Sequence, residues 1–371
     1  MLSIYFLNVR HGDSMVIEYV SDDGNKHYGV IDSNIPPGST DPPALDILKQ
    51  LGANRISFIM ITHPDIDHFR GIYKIMEYFR NNIDSFYSFP IGRHIKSDAK
   101  KLKKYAEEYA KQIKGTDSPL IKSASKEFIK ILIEIKDNIG IENWYDETGY
   151  CNDIFPRGFN DVIFKILLPD STTKSYIFNA IQSDNGLIDE PKERNNEISV
   201  ALLVEYKNHR IILGGDAPNK KWLLHQNYLS KQGKKLDASA IKLPHHGSKE
   251  GCSLESLQYI AGERAERVYG IISANGVSHP HFDTIKNCQE TNIGPYCTNL
   301  SKHCRPLIRE VYPEIDPELS RTVRLYEEDL TENNIAPCQG NITLNIDNFI
   351  GIDRQYENLC LYRGEFDSIV L

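Results

Sequence analysis

The sequence predicts an α/β fold in which loops at the ends of buried strands carry the functional residues. Apolar runs of strand length recur along the 371 residues, and several end in a short cluster of histidine and aspartate. A segment of helical periodicity follows the clearest of these clusters. The composition, with 40% hydrophobic and 25% charged residues, is that of a globular protein. It excludes a disordered chain, a collagen and a coiled coil.

The N-terminal region predicts a β-hairpin pattern followed by a helix. Apolar residues alternate with polar ones over 2–9, and a Gly-Asp-Ser break precedes a second strand over 15–20. After a polar turn, a third strand is predicted over 28–32. Several prolines then mark a loop, and a helix is predicted over about 44–51.

A buried strand and a helix enclose the most polar cluster of the chain. Residues 56–62 form a nearly continuous apolar run, which is typical of a strand buried on both faces. The cluster HPDIDH follows at 63–68, and apolar residues at helical spacing then predict an amphipathic helix over about 69–81. Sites in α/β sheets are built in loops at the carboxyl ends of strands. The order of these pieces therefore marks 63–68 as a candidate site.

A lysine-rich segment over 93–136 differs from the rest of the chain. It holds 12 basic and 6 acidic residues, a net charge of +6, whereas the whole chain has a net charge of −8 and the remainder therefore −14. Apolar residues at helical spacing near 128–135 predict two helices around Gly115. We interpret 93–160 as a lysine-rich helical insertion within a single domain that spans 1–371.

The second half of the chain predicts further strands and a terminal strand pair. The predicted strands cover 161–168, 198–206, 210–214, 239–243 and 268–273, and the pair covers 340–349 and 350–362. The pair belongs to a C-terminal extension over 301–371.

Several classes of protein and site are disfavoured. No apolar run approaches the roughly 18 residues of a membrane span, so we expect no membrane partner. The polar N-terminus shows no export signal, so we expect a cytoplasmic protein with reduced thiols. Seven cysteines without CxxC spacing favour free thiols. A zinc site is an alternative, but its spacings match no structural zinc pattern. Its members would be His281, Cys288, Cys297, His303 and Cys304.

Five polar pieces follow predicted strands and together suggest a two-metal centre. They are HPDIDH at 63–68, NNEIS at 195–199, GGD at 214–216, HHGS at 245–248 and HPH at 279–281. Histidine and aspartate this close together repel one another or lose solvation unless a cation holds them.

The spacing of these groups divides them between two ions. Residues two apart at a strand end point the same way, so His63 and Asp65 can hold one ion. Asp67 and His68 can hold a second. Asp216 can bridge the two ions, and an imidazole from the pair at 245–246 can complete the second. Two divalent ions that share a hydroxide make a hydrolytic centre.

The order of these pieces resembles the metallo-β-lactamase superfamily, whose signature is H-x-H-x-D-H. Within it, the sequence is similar to the hydrolase domain of ComEC-type competence proteins. Matching pieces are VRHGDS at 9–14, VID at 30–32, THPDIDH at 62–68, NEIS at 196–199, ILGGD at 212–216, LPHHGS at 243–248 and SHPH at 278–281. The match covers about 1–90 and 195–300. Departures are Arg10-His11 for a Gly-Gln pair, Ser33-Asn34 for a glycine after Asp32, Arg70 for a glycine, and the longer region over 93–160.

The resemblance implies a fold and a set of roles. The fold is a four-layer αββα metallo-β-lactamase sandwich with the helical insertion and the C-terminal extension. The expected metal ligands are His63, Asp65, Asp67, His68, Asp216 and His246. Either residue of the pair at 245–246 can be the ligand, and we favour His246. The residues expected to take part directly in catalysis are Asp67, His245 and His279.

Other residues are expected to support the ligands or the substrate. We expect Asp13 and Asp32 to orient ligand histidines, and Ser248 to support the site beside them. Asn196 stands where many relatives carry histidine, and weak ligation, water binding and a loop cap all stay open for it. The lysines expected to bind substrate are Lys100, Lys101, Lys103 and Lys104.

The expected function is metal-dependent hydrolysis by a hydroxide that two divalent ions, Mn²⁺ or Zn²⁺, activate. The resemblance implies a phosphodiesterase or nuclease that acts on DNA, and the basic insertion agrees with this because lysines neutralise phosphates. Two alternatives remain. One is a hydrolase of small phosphoesters or lactones. The other is a component of a multi-protein assembly, for instance in antiviral defence, in which the basic helices bind a protein partner.

Overall fold

Two β-sheets form the centre of the computed structural model. It describes residues 1–91, 96, 100, 119–146, 150, 152–173, 193–264, 266–299, 301 and 340–355. Within these residues the strands form one sheet of eight and one of seven.

The first sheet combines the N-terminal hairpins with the terminal strand pair. Its strands are β1 Leu2–Phe6, β2 Met15–Val20, β3 Lys26–Ile31, β4 Phe58–Ile61, β5 Phe86–Ser88, β6 Trp144–Tyr145, β14 Ile342–Ile346 and β15 Ile350–Arg354. Their order across the sheet is β15-β14-β1-β2-β3-β4-β5-β6. Strands β3 to β6 are parallel, whereas β15, β14, β1, β2 and β3 pair in antiparallel fashion.

The second sheet is formed by the middle of the chain. Its strands are β7 Asn152–Ile154, β8 Val162–Leu168, β9 Ala201–Tyr206, β10 His209–Leu213, β11 Ala240–Lys242, β12 Val268–Ile272 and β13 Ile293–Cys297. They follow one another across the sheet in chain order, and β10 to β13 are parallel.

Helices lie on both sides of the pair of sheets, and two short helices lie in the loops between strands. The described α-helices are α1 Pro43–Gln50, α2 Ile66–Phe69, α3 Ile72–Tyr78, α4 Pro119–Glu134, α5 Glu193–Glu197, α6 Asn219–Ser230, α7 Leu254–Ala261 and α8 Phe282–Glu290. Apolar side chains of α1, α3 and α4 pack in the same core as the first sheet. Helices α6, α7 and α8 pack on the second sheet in a separate apolar cluster. Among the described helices, none is long and apolar enough to cross a membrane.

Aromatic contacts join the inner faces of the two sheets. The ring of Phe58 on β4 lies 5.6 Å from that of Phe164 on β8, and Tyr19 on β2 lies 5.9 Å from Tyr206 on β9. All four side chains are buried. The layers are therefore helices, sheet, sheet and helices, and the predicted αββα sandwich is confirmed.

The strand ends fix where a site can form. Both parallel segments direct their carboxyl ends to one edge of the sandwich, where β3, β4, β10, β11 and β12 lead into polar loops. Each of the polar pieces identified in the sequence lies in or beside these loops, except that residues 195–197 lie in the short helix α5 just before β9. The helix predicted over 69–81 is confirmed over Ile72–Tyr78, as α3.

The second helix of the lysine-rich segment is part of the main core. Phe128, Ile131 and Ile135 are buried there, and the ring of Phe128 lies 5.1 Å from that of Phe69 beside the HPDIDH cluster. The first predicted helix lies outside the described residues apart from Lys96 and Lys100, as does most of the extension over 301–371. The division of the chain into a domain with an insertion and an extension remains a prediction.

Candidate metal centre

The HPDIDH loop brings two histidine rings together. The backbone of Asp65 is extended, and α2 then turns the chain, with the amide of His68 donating to the carbonyl of Asp65 at 2.9 Å. The ring centroids of His63 and His68 are 4.0 Å apart, and both residues are fully buried. A short helical turn after a buried strand therefore brings these imidazoles together at the sheet edge, with their planes tilted by 52°.

Asp216 lies at the centre of the histidines. Its Oδ2 atom is 3.7 Å and 3.4 Å from the Nε2 atoms of His63 and His68, and 3.9 Å and 3.4 Å from those of His245 and His246. The preceding Gly215 has φ +52°, and a Cβ there would lie 2.5 Å from Oγ of Ser199. That hydroxyl accepts a hydrogen bond from the amide of Asp216 at 2.8 Å. The turn that presents Asp216 therefore requires glycine.

Asp67 defines a second half of the cluster. Its Oδ2 atom lies 3.6 Å from Nε2 of His246 and 3.9 Å from Nε2 of His68. The Nε2 atom of His11 approaches the same oxygen at 3.2 Å from the solvent side. On the other side of Asp216, Oδ2 of Asp65 lies 3.6 Å from Nε2 of His63. Two groups of donors thus meet at Asp216.

The adjacent histidines of the HHGS loop adopt left-handed backbone conformations. The φ angles of His245 and His246 are +49° and +53°. The amide of His245 donates to the carbonyl of Gly215 at 2.9 Å, which ties this loop to the turn carrying Asp216. His246 is buried, whereas about a quarter of the His245 side chain is exposed. This geometry favours His246 over His245 as a ligand.

Two buried aspartates hold the outer nitrogens of the histidines. Oδ2 of Asp32 lies 2.8 Å from Nδ1 of His68 and accepts from the hydroxyl of Thr62 at 2.7 Å. Oδ1 of Asp13 lies 3.3 Å from Nδ1 of His246. Contacts of this kind fix the tautomer and leave Nε2 aimed into the cluster. Both aspartates therefore lie beside histidines of the cluster, and their role in orienting ligands stays a prediction.

The carboxylates and imidazoles of the cluster shift one another's pKa values. Burial alone would raise the pKa of Asp216, but His246 and His68 outweigh it and hold that pKa well below its ordinary value. Burial alone would lower the pKa of His68 and of His246, yet Asp216 and the other carboxylates raise both well above the ordinary value. The buried carboxylates are therefore stabilised by nearby positive charge, which a divalent cation can supply in place of the protons on the histidines.

The donor atoms fit a metal. Nε2 of His63, His68 and His246 and Oδ1 of Asp216 are buried without a hydrogen-bond partner among the described residues. Four overlapping triplets of donor atoms lie within 4.8 Å: His63, His68 and Asp216; Asp67, His68 and His246; Asp13, Asp32 and His68; and Asp13, Asp216 and His246. Imidazole and carboxylate donors suit zinc, manganese and iron.

The remaining predicted site residues occupy different places. The Oδ1 atom of Asp65 accepts from the side-chain amide of Asn195 at 2.7 Å, whereas Oδ1 of Asn196 is buried without a described hydrogen-bond partner. The ring of His279 lies 5.9 Å from that of His245. The hydroxyl of Ser248 accepts from the amide of Gly251 at 3.2 Å and so supports the loop itself.

The lysines expected to bind substrate are described only in part. Lys100 is exposed, and Lys101, Lys103 and Lys104 lie outside the described residues. Lys96 of the same segment is buried, and its Nζ contacts Oδ1 of Asp146 at 2.8 Å. Lys96 therefore does not contribute to a basic surface.

The structure brings to the cluster two further residues, His11 and Lys242, that the sequence patterns do not assign to the site. The sequence distinguishes His11 only as a departure from the family pattern. Lys242 is fully buried at the end of β11, with Nζ in contact with Oδ2 of Asp13. Burial would lower the pKa of Lys242, but Asp13 and Asp216 raise it, so the side chain is charged. A lysine inside an apolar strand is the one sequence signal for it.

Comparisons with known proteins give similar solved structures at low sequence identity. No protein family and no curated protein matches the sequence. Among solved structures, the chain is similar to CmlA, a diiron beta-hydroxylase from Streptomyces venezuelae, at 11% identity and a TM-score of 0.41, over 81% of this chain and 53% of that one. It is also similar to a diphosphatase from the PhnP family, at 10% identity and a TM-score of 0.35, over 74% of this chain and 87% of that one.

A third similar structure is Zn²⁺-bound PqqB from Methylobacterium extorquens, at 11% identity and a TM-score of 0.34, over 76% of this chain and 84% of that one. These proteins have the metallo-β-lactamase fold. This chain spans about half the length of CmlA. Because the TM-scores are below 0.5, the fold of this chain is assigned from its own sheet order and layers, and its chemistry from the residues of the cluster.

Proposed function

We propose that this protein is a metal-dependent hydrolase that cleaves phosphodiesters, with DNA as its substrate. The observation that supports this most is the position of Asp216, whose Oδ2 atom lies 3.4 to 3.9 Å from four imidazole nitrogens. Asp65 and Asp67 flank it on either side. Buried charged groups are costly unless they are paired or bind a metal, so packing alone does not account for this cluster.

The cluster divides into two sets of ligands. His63, Asp65 and Asp216 would hold one divalent cation, and Asp67, His68 and His246 would hold the other, with Asp216 shared between them. Two cations bound in this way would make a water molecule nucleophilic near neutral pH and would neutralise charge on the phosphoryl oxygens.

The chain's own residues prepare the ligands. Oδ2 of Asp32 lies within hydrogen-bond distance of Nδ1 of His68, and Oδ1 of Asp13 lies 3.3 Å from Nδ1 of His246, so both carboxylates face the outer nitrogens and leave Nε2 of each ring directed into the cluster. Thr62 holds Asp32 through both its amide and its hydroxyl, at 2.8 Å and 2.7 Å. The ligand geometry is therefore set before any cation binds.

His245 and His279 lie beside the cluster as neutral imidazoles. Burial lowers the pKa of His279 to about 4, with His246 and His245 adding to the effect, and burial also lowers the pKa of His245. A neutral imidazole offers one N–H donor. We assign these two residues to binding the phosphoryl or leaving oxygens. Because their rings are neutral, they would act by donating a hydrogen bond and not by delivering a proton from an imidazolium.

Charge distribution supports a nucleic-acid substrate. The segment 93–136 carries +6 in a chain whose remainder carries −14. Of its described lysines, Lys100, Lys126 and Lys130 are exposed. The resemblance to ComEC-type domains points to the same substrate, because those domains are regarded as nucleases.

The ligand set also supports a preference among metals. Asp65 stands where the family signature has histidine, and this makes the first half of the cluster richer in oxygen. Oxygen-rich sites favour Mn²⁺ over Zn²⁺ relative to sites built from imidazole alone. We propose that Mn²⁺ supports higher activity than Zn²⁺.

The test is hydrolysis by purified protein that has been stripped with a chelator and reloaded with Mn²⁺ or Zn²⁺. The substrates are linear and plasmid DNA, bis-p-nitrophenyl phosphate, p-nitrophenyl phosphate and a lactone. We expect cleavage of DNA and of the diester, faster with Mn²⁺. Turnover of the lactone or of the monoester without cleavage of DNA would replace this proposal with a small-molecule hydrolase. Activity with Zn²⁺ alone would contradict the metal preference.

A further inference from the structure

Lys242 is a buried cation inside the metal centre that the proposed chemistry does not use. It is the last residue of β11, and its side chain is completely buried. Its Nζ contacts Oδ2 of Asp13, lies 3.2 Å from the carbonyl oxygen of Gly215, and lies 4.0 Å from Oδ1 of Asp216. Taking an ammonium out of water is unfavourable unless charged or polar partners compensate for its lost hydration. A charge at this position therefore calls for an explanation beyond packing.

The two carboxylate oxygens of Asp216 face different surroundings. Oδ2 faces the four imidazole nitrogens at 3.4 to 3.9 Å. Oδ1 is buried, has no hydrogen-bond partner among the described residues, and faces the ammonium of Lys242. Attraction between Oδ1 and this ammonium turns the carboxylate so that one oxygen, rather than two, points into the cluster.

The same lysine also reaches a second ligand. Asp13 contacts Lys242 through Oδ2 and Nδ1 of His246 through Oδ1, at 3.3 Å for the latter. Lys242, Asp13 and His246 therefore form a chain that runs from β11 into the half of the cluster that contains Asp67.

We propose that Lys242 is a positioning residue that orients Asp216, so that the single oxygen Oδ2 is shared by both halves of the metal centre. This inference rests on the proposed function in one respect, namely that two cations occupy the cluster. A single shared oxygen brings two cations closer together than a carboxylate that gives one oxygen to each. It therefore couples the unpaired electrons of two Mn²⁺ ions more strongly.

The experiment measures Mn²⁺ binding and the electron paramagnetic resonance spectrum of the loaded protein. Lys242→Met removes the charge. Lys242→Gln keeps hydrogen-bond donors without the charge. The double variant Lys242→Met and Asp13→Asn avoids leaving a lone buried carboxylate, which helps the protein to fold, and it is compared with Asp13→Asn alone because Asp13 also contacts His246. We expect all three variants, with both sites filled, to show weaker spin coupling than the wild type, and the Kd of the weaker Mn²⁺ ion to rise by about tenfold to a hundredfold.

Lys221→Met is the matched control, because Lys221 is another buried lysine paired with an aspartate. Its Nζ lies 3.2 Å from Oδ2 of Asp170 and 2.6 Å from the hydroxyl of Thr173. This control is expected to lose stability while keeping the wild-type spectrum and both Kd values. If the Lys242 variants behave like the control, Lys242 only neutralises Asp13, and the inference is wrong.

A crystal structure of the Mn²⁺-loaded wild-type protein tests the same inference without any variant. Asp216 is expected to bridge through Oδ2 alone, with Oδ1 directed at Lys242. A bridge that uses both oxygens would overturn the inference and leave the proposed function intact. A wild-type protein that binds no pair of ions would overturn both.

Discussion

Four residues around the cluster hold backbone conformations that side chains rarely adopt. The φ angles of Arg10, Asp32, His245 and His246 are +68°, +53°, +49° and +53°. A left-handed conformation costs on the order of 1–3 kcal/mol for a residue other than glycine, and such residues gather at functional sites. Here the strained positions carry an orienting carboxylate and the paired histidines. The strain is therefore concentrated where side chains are aimed at the candidate centre.

Replacing Asp67 tests the centre at the scale of one residue. Asp67→Ala removes a ligand from one half of the cluster and should lower kcat by a factor on the order of a hundred or more, because it disturbs the nucleophile and the transition-state charge together. The measurement is hydrolysis of the diester and of DNA with Mn²⁺. Asp46→Ala, at an exposed position on α1, is the matched control and should keep wild-type rates. Near-normal turnover by Asp67→Ala would contradict the two-metal proposal.

His225 predicts how stability depends on pH. It is fully buried on α6, with Nδ1 2.7 Å from the hydroxyl of Tyr259, and burial lowers its pKa from 6.5 to about 4. Between pH 6.5 and about 4, His225 is therefore protonated in the unfolded chain and neutral in the folded protein. The stability from the neutral ring is complete above pH 6.5 and is lost as the pH falls through about 4. The loss is about 3 kcal/mol.

Denaturant unfolding between pH 8 and pH 4 measures this effect as a difference between two proteins. His225→Gln keeps a polar partner for Tyr259 but does not titrate. The free energy of unfolding of the variant should fall less steeply below pH 6.5 than that of the wild type. Other histidines titrate in both proteins and cancel in the difference. Parallel curves for the two proteins would show that His225 is not the source.

At the scale of elements, the sequence predicts the buried strands well and the short ones poorly. Continuous apolar runs identify β4, β9 and β12 because both faces of these strands are buried. Local sequence patterns do not predict β5, β6, β7 and β13. The first three are two or three residues long, and β13 contains Gly294 and Pro295, which oppose a strand interpretation. Their pairing depends on distant partners that periodicity does not reveal.

The same limit applies to the candidate site. The ligand-type residues of 63–68 can be recognised from the sequence because they lie within six consecutive positions. The contact between Asp13 and Lys242 joins positions 229 residues apart, and nothing local predicts it. The predicted start of the helix after the motif was also too early. Gly71 has φ +90°, and a Cβ there would lie 2.6 Å from Cβ of Pro42, so α3 begins after it.

Helix α4 caps helix α3, and this contact yields a prediction. Oε1 of Glu127 accepts a hydrogen bond from the amide of Gly71 at 2.7 Å. Gly71 is the N-cap residue of α3, and as a glycine it has no side chain that could cap the helix. Glu127→Ala leaves this amide unsatisfied and should lower the free energy of unfolding by about 1–2 kcal/mol. Glu127→Gln keeps the acceptor oxygen and should lose less. Glu77→Ala, exposed on α3, is the control. Equal losses for the two Glu127 variants in denaturant unfolding would show that the cap contributes nothing.

At the scale of the whole molecule, the candidate centre exists only when the two sheets are docked. Asp13, Asp32 and residues 63–68 come from the first sheet, whereas Asp216 and His246 come from the second. The unfolded chain cannot assemble these donors, so metal binding and folding are coupled.

Metal should therefore raise the stability of the whole fold. At free Mn²⁺ of about 100 times Kd, the expected gain is about 2.7 kcal/mol. The measurement is thermal unfolding in Mn²⁺ against unfolding in a chelator. Asp216→Asn, which alters the shared ligand, should lose most of the difference. Identical Tm values for the wild type in both conditions would contradict a metal centre at this edge.

The lysine-rich segment gives the last prediction, which concerns the charge of the molecule. Changing four lysines to glutamate should weaken DNA binding and flatten its salt dependence, by a slope of about 0.7–0.9 for each phosphate that the protein no longer neutralises. The association rate should fall first, because a field of this kind steers encounter. Hydrolysis of the small diester should be unchanged, because the cluster is untouched. The four are Lys100, Lys101, Lys103 and Lys104.

A control with the same change in net charge separates a local surface from the total charge. Four exposed lysines outside the segment serve for this: Lys231, Lys234, Lys235 and Lys286. Changing them to glutamate should reduce DNA binding much less, since salt screening limits the electrostatic effect of an exposed charge to about 8–10 Å at physiological ionic strength. If both quadruple variants bind DNA alike, position does not matter and the segment is no DNA-binding surface. If only the segment variant loses a protein partner while DNA binding stays, the segment serves an assembly, and the DNA proposal then depends on the metal cluster and the resemblance alone.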